Sequence, residues 1–69
     1  MSDEALKALQ KDVSHKKRIA SDWASQIHDL VEDRLLSDYE ALPELAQRTH
    51  QACLDWAAAK ARLEQASAG

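Results

Sequence analysis

The sequence predicts an all-α protein, an antiparallel two-helix hairpin of coiled-coil type that dimerises into a four-helix bundle. Three observations lead there. Ala, Leu, Glu, Gln and Lys dominate, with one Gly and one Pro among 69 residues, and these favour helix almost everywhere. Apolar residues recur at alternating spacings of three and four along two long stretches. The break between the stretches is short, and so short a connection makes the two helices antiparallel neighbours.

The first helix is expected from about residue 3 to 33. Ser2 is a candidate N-cap, and Asp3 and Glu4 follow where the helix dipole favours anions. With Leu6 as heptad position a, that row is Leu6, Val13, Ala20 and Ile27. The d row is Leu9, Lys16, Trp23 and Leu30. Only Lys16 interrupts the seam, and its stem can lie on apolar surface while the amine reaches water.

The stretch "EDRLLSDYEALPEL" holds the break, with a loop expected at about 34–37. Ser37 followed by Glu40 has the pattern of a capping box, which would start a helical turn over Asp38 to Ala41. Pro43 suits the first turn of a helix but removes a donor farther in, so a kink is expected near it. The second helix, about 38–66, carries Leu42, Leu45, Thr49, Ala52, Trp56, Ala59, Leu63 and Ala66 on one stripe. Its small residues let the two axes approach closely. Trp23 and Trp56 both fall on the seam, where packing is the plain reading and contact with a partner the alternative.

One stripe per helix does not use all the apolar surface. Ala24, Ile27, Val31 and Leu35 form a second row on helix 1, and Ala46, Cys53, Ala57 and Ala61 one on helix 2. A lone hairpin would leave a row of each pair wet; two hairpins cover both, hence a homodimer. Size argues the same way, since a single core in a chain this short is marginal without a staple or partner. Cys53 is the only cysteine, which excludes an intrachain disulfide and suits a reducing, cytoplasmic setting. No apolar run approaches the roughly 20 residues of a membrane span. "MSDEALK" lacks the basic-then-apolar pattern of a secretory signal.

A net charge of −3 argues against broad affinity for nucleic acid, which depends on neutralising phosphates. The basic cluster His15, Lys16, Lys17 and Arg18 is consecutive, so its side chains point around the helix rather than along one stripe. A solvated face accounts for it. The acidic segment is different. Asp29, Glu32, Asp33, Asp38, Glu40 and Glu44, relieved only by Arg34, gather at the hairpin tip. A negative field there could steer a basic patch on a partner protein, with Tyr39 as an amphipathic anchor; solubility is the bland alternative.

His28 and Glu32 are four apart and project from one helical face, where they could share a divalent transition-metal ion. His50 and Cys53, three apart on helix 2, form a second pair of softer donors. Such pairs also arise by accident, and two ligands hold metal poorly. Ser21, Ser25 and Thr49 have no Gly-rich turn or oxyanion-forming loop near them, and a hairpin offers little concavity. No enzyme is expected.

With the hairpin in place, "HDLVED", then "DYEALPELAQRTHQA", then "AKARLE" resembles the Rop-like family of small helical hairpins encoded among nitrogen-fixation genes. The likeness runs from about Ile27 to Leu63; the earlier part of helix 1 matches in pattern only. It implies a hairpin that dimerises and has no enzymatic activity. It also implies a link to a nitrogenase component (the molybdenum–iron protein) or to a cofactor-assembly protein. The family is further regarded as metal-binding, which puts weight on His28 and, one turn on, Glu32. Where this chain has His50 the family pattern carries an aromatic, so a role for His50 is particular to this chain or absent. "Rop-like" describes shape; the basic and aromatic face by which Rop proteins bind RNA has no counterpart here.

Two functions follow as expectations. One is an accessory interaction protein that docks on a nitrogenase component or assembly protein. The other is a small metal carrier using His28 and Glu32, with His50 and Cys53 as further donors.

Overall fold

The computed structural model describes residues 2–68. Among these the chain is helical throughout, with no strand. Helix α1 runs Asp3–Asp33, a short α2 covers Leu35–Asp38, a 3-10 turn follows at Tyr39–Ala41, and α3 runs Leu42–Ala68. The two long helices lie against each other as a rod of 51 × 14 × 12 Å.

Local chemistry sets each boundary. The Ser2 hydroxyl accepts from the Ala5 N–H at 3.3 Å, satisfying one of the donors that a helix start leaves free. At the other end of α1, Arg34 leaves helical geometry (φ −136°, ψ 19°) while its N–H still donates to the Leu30 carbonyl at 2.8 Å. Helix resumes at Leu35, and the Asp38 N–H donates to the Arg34 carbonyl at 2.8 Å. The connection is therefore a chain of tight turns and not the open loop expected at 34–37. Nor does Ser37 cap a helix: its hydroxyl donates back to the Arg34 carbonyl at 3.3 Å. The turn had already begun at Leu35, so Ser37 sits inside it. Pro43 is the second residue of α3, in the first turn, where a backbone N–H would have no intrahelical acceptor in any case.

The seam is the predicted one. Leu6, Leu9, Val13, Lys16, Ala20, Trp23, Ile27 and Leu30 on α1 are all at least half-buried. So are Leu42, Leu45, Thr49, Ala52, Trp56, Ala59, Leu63 and Ala66 on α3. Only Leu30, Ala52 and Ala59 are fully buried among the described residues. Two alanines at the closest approach let the backbones come together, and the bulkier residues fill the space on either side. Burying a leucine such as Leu30 contributes about 1.5–3 kcal/mol. Thr49 costs little on the seam, because its hydroxyl donates to the Leu45 carbonyl at 2.7 Å. Toward the open end, Arg62 reaches Asp12 at 3.1 Å and fixes which turns of the two helices lie level.

Most of the second apolar row stays outside the seam. Ala24, Val31, Leu35, Ala46, Cys53, Ala57 and Ala61 are exposed, whereas Ile27 already packs in the seam. No helix among the described residues is long and apolar enough to cross a membrane.

Candidate functional site: the hairpin tip

At the tip the chain turns twice within eight residues, and the break at Arg34 shifts the helical phase. Val31 and Leu35 belong to the second apolar row, Leu36 and Tyr39 also lie off the seam, and all four side chains are exposed. Leu36 is 88% exposed, Tyr39 56%, Val31 49% and Leu35 37%, four of the five large apolar residues exposed among those described. A shallow hollow of about 370 Å³ runs between Val31, Asp33, Leu35 and Leu36.

Carboxylates surround this apolar group. Asp29, Glu32, Asp33, Asp38, Glu40 and Glu44 are all exposed. Arg34 is the one base among them, and its Nε lies 3.5 Å from an Asp38 oxygen. Arg48, one turn into α3, holds Glu44 through Nε at 3.1 Å and Nη2 at 2.9 Å, both on Oε1. Among the described residues Asp33 and Glu40 have no ionic partner. The last turn of α1 carries acids and no base, against the preference of a helix C-terminus for cations.

His28 lies on the same rim. Its Nδ1 is 3.5 Å from Glu32 Oε2 and 3.7 Å from Asp29 Oδ1, with all three side chains largely exposed. The expected pairing of His28 with Glu32 is thus present, joined by Asp29. One imidazole and two exposed carboxylates make a loose donor set. His50 and Cys53, both exposed, sit farther along α3. No group of three or more His, Cys, Asp or Glu among the described residues is arranged to hold a metal ion. The donors of one chain do not fit a closed metal site.

The two sides of the hairpin differ. One groove, of about 190 Å³, is lined by Ile19, Trp23, Arg48, Gln51, Ala52 and Asp55, and the Arg48 guanidinium caps the Trp23 ring at 5.2 Å. The opposite groove, of about 300 Å³, is lined by Ala20, Ser21, Ala24, Thr49, Cys53 and Trp56, with Lys17 at its edge. There Lys60 stands 5.1 Å from the Trp56 ring. Both Trp residues are half-buried seam residues, each with one face turned to a cation.

The Rop-like family model matches residues 4–68, nearly the whole described chain. The chain belongs to the Rop-like family. This membership accords with the hairpin and extends the likeness through the first half of α1, where the sequence motifs carried none. No curated protein and no solved structure matches this Rop-like chain.

Leu36 is the tip residue that sequence reasoning passed over. The signal was the doublet Leu35–Leu36: adjacent residues on a helix point about 100° apart, so with Leu35 on the second row Leu36 falls on neither apolar row.

Proposed function

We propose that this protein is a non-enzymatic accessory protein of nitrogen fixation, acting in the cytoplasm by docking its hairpin tip on a protein partner. The partner is a nitrogenase component, the molybdenum–iron protein, or a cofactor-assembly protein; that assignment rests on the family resemblance alone. The observation that carries the docking reading is the exposed apolar group Val31, Leu35, Leu36 and Tyr39 inside a ring of carboxylates. A single exposed leucine is ordinary, but four large apolar side chains gathered at one extremity mark a surface for interaction. An apolar centre with a charged rim is the usual anatomy of a docking surface, the centre supplying affinity and the rim steering approach.

The second reading, a metal carrier, is favoured by His28 standing close to both Asp29 and Glu32. It requires further donors from another chain, and it ranks behind docking for that reason.

The test is affinity capture from nitrogen-fixing cells with tagged protein, followed by mass spectrometry. A nitrogenase or cofactor-assembly protein should be recovered with the natural chain and lost with the folded double variant Leu36→Ser, Tyr39→Ala. Equal recovery by both chains would remove the tip from the account.

A further inference from the structure

Elsewhere on this hairpin, bases pair with acids one helical turn away. Lys16 lies 3.9 Å from Asp12, Arg34 3.5 Å from Asp38, Arg48 2.9 Å from Glu44 and Lys60 4.0 Å from Glu64. One line of α1 breaks this pattern. Lys7, Lys11, Ser14 and Arg18 follow at steps of four, three and four, which sets them on a single face of the helix. The consecutive cluster from His15 to Arg18 points around the helix, but its last member continues this line. All four side chains are exposed, and among the described residues none of the three bases has an ionic partner.

The line costs the fold stability. Lys7 and Lys11 are like charges four apart, an unfavourable pair on a helix. An acid in place of Ser14 would lie one turn from both Lys11 and Arg18, yet a hydroxyl stands there. Asp12 is turned to α3, where Arg62 holds it at 3.1 Å. Asp3, Glu4 and Asp22 flank the line without pairing to it. By helical spacing the line lies opposite Leu9, Lys16 and Trp23 of the seam and about a third of a turn from the second apolar row. Cover over that row would leave it open. A shallow hollow of about 300 Å³ lies among Lys7, Gln10, Lys11 and Ser14.

Charge complementarity selects an anionic occupant, and the surroundings narrow its class. The line has no aromatic side chain on which a base could stack, and three charges on a chain of net charge −3 hold a phosphate backbone poorly. A lipid surface would need apolar side chains free beside the bases. Leu6, Leu9 and Val13 are instead half-buried in the seam. The bases span eleven residues, about 16 Å along the helix axis, and a facing helix can present carboxylates at the same steps.

We propose that the outer face of α1 bearing Lys7, Lys11 and Arg18 is a docking surface for an acidic helical segment of a second protein, with carboxylates at matching steps of four and seven residues. It stands independently of what the tip binds. If the tip docks as proposed above, the hairpin joins a partner with a basic patch to one with an acidic helix.

The test uses the full chain and a fluorescent, Ala-rich synthetic helix carrying Glu at steps of four and seven. A second peptide of the same composition has its Glu residues spread around the helix. Anisotropy at low salt should show tighter binding of the first peptide, weakening as salt rises. Lys11→Glu should weaken it about tenfold, because reversal replaces an attraction with a repulsion. The same change makes an opposite-charge pair with Lys7, so helicity should be retained. Arg18→Gln, a neutral replacement at an exposed position, should weaken binding in the same direction. Lys17→Glu alters net charge as much as Lys11→Glu but lies off the line, and should leave binding unchanged. The tip variant Leu36→Ser, Tyr39→Ala should also bind the peptide like the natural chain, so a failure of tip docking is read separately. A natural chain that binds neither peptide, or both equally, would overturn the proposal. So would an equal loss in Lys17→Glu, or tighter binding of single-stranded RNA or of phosphatidylserine vesicles than of the first peptide.

Discussion

The one base at the tip, Arg34, is held by a carboxylate of its own turn: its Nε lies 3.5 Å from Asp38 Oδ2. What remains without a partner at the end of α1 is Asp33, at a terminus where the dipole favours cations. The arrangement works against stability and in favour of an exposed negative field.

Asp33→Lys should therefore stabilise the hairpin, by about 0.3–1 kcal/mol at low salt, the range for a favourable charge at a helix end. Urea denaturation monitored by helicity measures it. A loss of stability would show that the acids serve the fold.

Leu30→Ala should destabilise by roughly 2–5 kcal/mol, the range for deleting most of a buried leucine. Leu30 is the one large side chain fully buried among the described residues, at 2% exposure. Denaturation of the variant showing a loss below about 1 kcal/mol would mean that the seam runs elsewhere.

The seam was legible because the residues on it recur along both helices in alternating steps of three and four, which is the spacing of one buried face. Lys16 could be left in it for the same reason, and it is half-buried beside Asp12 at 3.9 Å. The tip was less legible. A serine three residues before a glutamate fits a capping box, but the same spacing occurs when the serine lies inside a turn and bonds backward, as Ser37 does. Leu36 was missed because periodicity assigns leucines to cores. Its place six residues beyond Leu30 lies on neither apolar row, so the spacing already sets it outside the seam. Of the candidate metal donors, His28, Asp29 and Glu32 could be placed together from spacing on one helix. The bearing of His50 and Cys53 on them depends on pairing between helices, which spacing along one helix does not contain.

Metal should bind weakly to the isolated protein. Titration calorimetry with Zn and Ni at micromolar protein should show no tight site, since His28 offers one imidazole and its neighbours are exposed carboxylates. A submicromolar site abolished by His28→Ala would reverse the ranking of the two functional readings.

The docking claim is tested most directly by titrating the purified partner with tip-reversed and control proteins. The tip set is Glu32→Lys, Asp33→Lys and Glu40→Lys; the control reverses the exposed bases Lys7, Lys11 and Arg18 of the open half to Glu. The account predicts that the tip set loses affinity at least about tenfold and that the natural protein binds more weakly as salt rises, because exposed charges are screened beyond roughly 8 Å at physiological ionic strength. The control should bind like the natural chain. A tip-reversed protein that keeps its partner while the control loses it would place the docking surface on the basic half and contradict the account.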